Sequence, residues 1–168
     1  MDVLEAIRSR RSIREYREDP VPEDLVSKVL EAGRWAPSAS NSQPWNFIVL
    51  KDEEVKRKVA DVTTYGDFLA DAPLGICVVI DPKASTHPVE DGATTTYSML
   101  LAAHALGLGT CWIGSYGSSY EEKVKEILNI PREKRVLSII SLGFPNEAPS
   151  SDRKELKKIV LENKYKKM

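Results

Sequence analysis

Leu74-Gly-Ile-Cys-Val-Val-Ile80 is an unbroken apolar run closed by Asp81-Pro82, the pattern of a central strand covered on both faces. Three further short apolar segments read as strands: Trp45 to Leu50, about Thr110 to Ile113, and about Val136 to Leu142. Between them the periodicity turns helical. Asp2 stands as a cap before Val3, Leu4 and Ile7, predicting a short helix through about Arg8. Pro22 with Glu23 and Asp24 opens a second helix, with Leu25, Val29, Leu30 and Trp35 on one face and Ala36-Pro37 at its end. Asp52 to Val62 is charged and helical in pattern, and about Tyr120 to Leu128 and Arg153 to Asn163 predict two more helices.

The segment from about Asp91 to Leu106 differs from the others. Its Thr-Thr-Tyr-Ser-Met-Leu-Leu-Ala-Ala-His-Ala-Leu run is small or apolar on nearly every face, so it predicts a helix buried on most sides and stopped at Gly107 and Gly109. A second subunit is an economical way for a small domain to cover such a helix. Strands interleaved with helices around one sheet give an α+β or α/β sandwich. No repeat or linker interrupts the chain, so residues 1–168 read as one domain.

Composition narrows the class. With 42% hydrophobic and 29% charged residues the chain is an ordinary globular protein, and a net charge of -1 provides no global attraction to nucleic acid or membrane. Any anion site must come from local clustering. Cys77 and Cys111 each sit in an apolar run, and with His87 and His104 they have no metal-ligand spacing. Buried reduced thiols, the absence of signal-peptide features at the N-terminus, and apolar stretches far below the ~20 residues of a membrane span predict a cytoplasmic protein.

Local clustering does occur. Arg8, Arg10, Arg11, Arg14 and Arg17 surround one acid, Glu15, with Ser12 as a neutral donor, and guanidinium forks match phosphate oxygens. A charge run is also the usual form of a solvated face. Glu18, Asp19, Glu23 and Asp24 beside it favour one compact phosphate over a long polyanion. The loop Pro37 to Pro44 sets backbone donors, hydroxyls and the Asn41 and Gln43 amides next to Trp35 and Trp45. That surface suits the edge of a flat heterocycle, although the same residues also make an ordinary connector. Leu106-Gly-Leu-Gly-Thr follows a helix and precedes a strand, the reverse of the dinucleotide-binding order. No phosphate loop or nucleophile motif is present, and His104 inside its apolar helix reads as a core histidine.

In this order the pieces resemble the FMN-dependent nitroreductase family. The matching segments are Ile7-Arg-Ser-Arg-Arg-Ser-Ile-Arg-Glu-Tyr-Arg17 with Val21-Pro22, Ala36-Pro-Ser-Ala-Ser-Asn-Ser-Gln-Pro-Trp-Asn-Phe47, Asp71-Ala-Pro-Leu74, Leu106-Gly-Leu-Gly-Thr-Cys-Trp-Ile-Gly114, and Leu142-Gly-Phe-Pro145 followed by Arg153. The resemblance implies a nitroreductase-like α+β fold, with a mostly antiparallel or mixed sheet flanked by helices in an intertwined homodimer. It implies that Arg10, Arg11 and Ser12 hold the phosphate and ribityl chain of FMN, with Arg14 as a neighbour and Arg153 closing on the phosphate. Pro37, Ser38, Ala39, Ser40 and Asn41 would reach the flavin from the second subunit. Trp112, Ile113, Gly114 and Ser115 would run along the ring system.

The implied activity is hydride transfer from NADH or NADPH to a nitroaromatic, quinone or other conjugated acceptor, with no side-chain nucleophile required. A specialised flavin enzyme of the same fold, dehalogenating or flavin-fragmenting, is the alternative within enzymes. A non-catalytic anion or nucleic-acid module built on Arg8 to Arg17 is the alternative outside them. One departure stands out: where larger relatives carry an Asn and a Lys beside the flavin pyrimidine, the loosely corresponding residues are Tyr65 and Phe68.

Overall fold

The computed structural model describes residues 1–165. Helix α1 (Val3–Ser9) starts where the Asp2 carboxylate accepts the Glu5 N–H at 2.9 Å. Helix α2 (Glu23–Arg34) follows Pro22 and leads through a short 3-10 turn at Ala39–Asn41 into strand β1 (Trp45–Leu50). Asp52 caps α3 (Glu53–Val62) through the Val55 N–H at 2.9 Å. Strand β2 (Leu74–Ile80), helix α4 (Pro88–Ala105), strand β3 (Gly109–Gly114), helix α5 (Glu121–Ile127) and strand β4 (Arg135–Gly143) complete the body.

The strands form one antiparallel sheet in the order β1-β2-β4-β3. Every residue of β2 is buried because alternate side chains serve two cores. Leu74, Ile76, Val78 and Ile80 meet Val26, Val29, Met99 and Leu100 of α2 and α4, whereas Cys77 and Val79 meet Val59 and Val124 of α3 and α5. Helix α4 lies close on the sheet because Gly92 has no Cβ: one placed there would stand 2.6 Å from Leu137 and 2.8 Å from Ile80. The Thr95 hydroxyl further ties α4 to α2 by donating to the Gly33 carbonyl at 2.7 Å.

Two expectations are corrected. Residues 153–163 do not form a helix; a single 3-10 turn at Leu156–Lys158 lies in an exposed segment. Leu156, Ile159 and Val160 are exposed and find no surface in their own chain, and a helix that short is marginal in water without one. Helix α4 is buried or half-buried over most of its length, with Glu90, Thr94, Tyr97 and Ala105 exposed in the single chain. Trp35 is a surface residue at 73% exposure: α2 turns Val26, Val29 and Gly33 inward instead. Its indole N–H donates to Glu31 at 2.7 Å beneath the Arg34 guanidinium.

Candidate functional site

Strand β3 is an edge strand, and the arginine segment is sewn along its free side. Ser12 bridges Thr110 in parallel, and the Ile13 N–H donates to the Thr110 carbonyl at 2.9 Å. The buried Ile13 side chain occupies the space that a Cβ on Gly109 would need. Three residues on, the Tyr16 hydroxyl lies 2.5 Å from the Ile13 carbonyl and 2.6 Å from Ser141 Oγ. The Arg17 N–H then donates to Phe144 at 2.9 Å. The run is therefore a fixed rim of the sheet rather than a freely solvated face.

Fixing the rim gathers positive charge. Arg10, Arg11, Ser12, Arg14, Pro149, Ser150, Ser151 and Arg153 enclose a pocket of about 240 Å³, so Arg153 does come from the far end of the chain to meet the N-terminal arginines. Nη1 of Arg11 donates to the Arg8 and Arg10 carbonyls, but its Nε is buried with no partner. A buried guanidinium donor left unpaired is costly.

Beside this pocket lies a cleft of about 720 Å³, within the size range of small-molecule and cofactor sites. Trp112, Ile113 and Gly114 of β3 form one wall, with Cys111, Arg14, Thr64, Tyr65, Asp67, Phe68 and Tyr120 around it. Backbone alternation decides what that wall offers. The Ser115 N–H turns to Leu137 of β4 and the Thr110 carbonyl turns outward to Ile13, so the alternate residues Trp112 and Gly114 present their backbone groups on the open edge. A Cβ on Gly114 would meet nothing within 4 Å in this chain, so the missing side chain leaves room for a ligand rather than for the protein's own packing. The Tyr120 hydroxyl donates to the Gly114 carbonyl and holds the strand end in place.

Both cysteines are buried thiols. Burial pushes the Cys77 thiol up to about 12 and holds Cys111 above its ordinary value. Nε2 of His104 is 2.7 Å from Ser9 Oγ, whose hydroxyl also lies 2.7 Å from the Glu5 carbonyl, so the pair is a local tie between α4 and α1. Among the described residues no group of His, Cys, Asp and Glu could hold a metal ion, and no helix is long and apolar enough to cross a membrane.

Of the residues singled out by sequence, Arg10, Arg11, Ser12, Arg14 and Arg153 meet in the anion pocket, and Trp112, Ile113 and Gly114 line the cleft with Arg14. Ser115 is fully buried and lines neither. Pro37, Ser38, Ala39, Ser40 and Asn41 also line neither. Thr64, Asp67 and Tyr120 join the cleft unannounced, because a Thr, an Asp in a turn and an aromatic before a helix are ordinary at such positions.

A pocket lined by four arginines and a strand-edge cleft therefore share one arginine, Arg14. The chain belongs to the nitroreductase family, whose model matches residues 7–65 and 60–144. A Methanothermobacter thermautotrophicus protein, provisionally named an NADH dehydrogenase/NAD(P)H nitroreductase, is 41% identical over 90% of this chain and 81% of its own length. The solved FMN-dependent nitroreductase of Clostridium difficile R20291 superposes with a TM-score of 0.91 at 31% identity, covering 96% of this chain and 99% of that one. The NADPH:FMN oxidoreductase of Vibrio harveyi, solved with NAD+, gives 0.90 at 25% identity over 99% of this chain and 79% of its own.

Proposed function

We propose that residues 1–168 form one FMN-binding domain of a cytoplasmic homodimeric NAD(P)H oxidoreductase whose acceptor is a nitroaromatic, a quinone or another conjugated molecule. The observation that carries this reading is the juxtaposition of the two cavities: a pocket lined by four arginines and a larger cleft along the edge of β3, with Arg14 lining both. FMN combines those two chemical parts in one molecule. The FMN-dependent and NADPH:FMN activities named for its relatives agree with it.

In this reading Arg10, Arg11, Ser12 and Arg153 hold the phosphate end. Trp112, Ile113 and Gly114 carry the ring system along the open edge of β3, where backbone donors and acceptors give fixed polarity without side-chain motion. Bound FMN supplies the hydride chemistry, and the protein supplies position and polarity.

The dimer is supported by apolar surface that one chain leaves uncovered: Val3, Leu4 and Ile7 on α1, Tyr97 on α4, and Leu156, Ile159 and Val160 in the C-terminal segment. A second subunit would cover these residues. The loop Pro37 to Asn41, absent from both cavities of its own chain, is then free to serve the cavity of the second subunit. An acceptor panel with NADH and NADPH tests the proposal. Steady nucleotide oxidation by the FMN-loaded protein with nitroaromatics or quinones supports it, and no turnover with any acceptor overturns it.

A further inference from the structure

The loop between α2 and β1 is held in an unusual shape. Ser40, Asn41 and Gln43 have φ of 52°, 54° and 46°, three left-handed residues within four positions and none of them glycine. Serine and glutamine disfavour that region, so the surroundings must impose the conformation. Inside the loop the Asn41 and Ser42 N–H groups donate to the Ser38 and Ala39 carbonyls, and the Gln43 N–H donates to Ser38 Oγ at 3.0 Å.

The outside hold comes from Asp91 in the first turn of α4. One carboxylate oxygen accepts the Ala39 N–H at 2.9 Å, and the other accepts the Ser85 hydroxyl at 2.5 Å and lies 3.5 Å from Ser42 Oγ. One turn further the Thr94 hydroxyl lies 3.0 Å from the Pro37 carbonyl. Asp91 is 5% exposed, and its post is rigid because the adjacent Gly92 lets α4 lie against Leu137 and Ile80. A carboxylate there is also favoured by the helix N-terminus.

We infer that Asp91 is a positioning residue for the flavin site: it locks the 38–43 loop of one protomer in the shape that meets the FMN held by the arginines of the other. The inference rests on the shared-site reading above, and it makes α4 of each subunit a determinant of its neighbour's cofactor affinity.

The test is FMN titration of Asp91→Ala, Asp91→Asn, Arg10→Ala and a mixed dimer of differently tagged Asp91→Ala and Arg10→Ala chains. Asp91→Ala weakens FMN binding on the order of tenfold or more, the change expected when hydrogen bonds to a charged group are lost. Asp91→Asn largely restores it, because the amide oxygen still accepts from Ala39 and the Ser85 and Ser42 hydroxyls can reverse. The mixed dimer regains one site of wild-type affinity, since one cavity then combines intact arginines with an intact loop. A purely structural role for Asp91 gives no such recovery. Wild-type affinity in Asp91→Ala, or no recovered site in the mixed dimer, overturns the inference, while the effect of Arg10→Ala reports separately on the phosphate assignment. Should Asp91→Ala fold poorly, Ser85→Ala removes one donor without touching α4, and unchanged FMN affinity there also overturns it.

Discussion

The Arg14 guanidinium lies over the Phe68 ring, 5.7 Å from its centroid, at the wall common to the anion pocket and the ring cleft. Arg14 lines both cavities, so in the proposed reading it sets a cation beside the flavin ring. A cation beside the ring favours the more negative, reduced form of a flavin. Arg14→Met therefore lowers the reduction potential of bound FMN by about 30–60 mV, the change that a lost contact of about 1.5–3 kcal/mol gives a two-electron couple. Spectroelectrochemical titration measures it, and an unchanged potential removes Arg14 from that role.

Arg10→Ala and Arg153→Ala each weaken FMN binding by about 1.5–3 kcal/mol with no change in fold, because both line the one pocket proposed for the phosphate. Quenching of flavin fluorescence gives the affinity and circular dichroism the fold. Full flavin occupancy in both variants contradicts the phosphate assignment.

Two glycines separate ligand space from packing space. Gly114→Val leaves the stability of the free protein nearly unchanged but blocks FMN, since its side chain enters the cleft. Gly92→Ala destabilises by about 1–3 kcal/mol, the usual range for overpacking, because the new Cβ meets Leu137 at 2.6 Å. Urea unfolding and FMN titration on both variants distinguish the two effects.

The Glu121 carboxylate is buried beside Arg135. Burial pushes its pKa up, but hydrogen bonds from the Arg135 guanidinium and from the Gly117 and Val136 N–H groups outweigh that and hold it below the ordinary value. A lowered folded-state pKa means that the contribution to stability is complete above the unfolded-state value and disappears as pH falls through the folded one. Melting temperature should fall on acidification below the ordinary glutamate range. Glu121→Gln should melt lower at pH 7 and lose less on acidification; equal losses in both proteins refute the assignment.

Dimerisation and flavin binding are linked if the site is shared. Added FMN then strengthens association by mass action, visible in sedimentation of apo and FMN-loaded protein across dilution. A stable monomer with stoichiometric FMN contradicts the shared site.

How far the sequence could be read depended on where each residue's partners lie. Strand β2 was legible because layers cover both its faces, so every position is apolar. The arginine segment was legible as charge, but its meeting with Arg153 came from the family resemblance, since no spacing rule links residues so far apart. The C-terminal segment misled because its apolar residues have helical spacing but no surface in the same chain to pack on. The left-handed loop was hidden because Ser40, Asn41 and Gln43 are not glycine and their conformation is imposed by Asp91, about fifty residues further on.

Anaerobic titration of the purified, FMN-loaded protein with NADH and NADPH, followed in the visible flavin bands, tests the central claim most directly. The account predicts a protein that retains FMN at one per subunit and bleaches with one equivalent of nucleotide per flavin, then recovers its colour on addition of a quinone or nitroaromatic. A protein that fails to bind added FMN, or whose bound FMN neither nucleotide reduces, contradicts it.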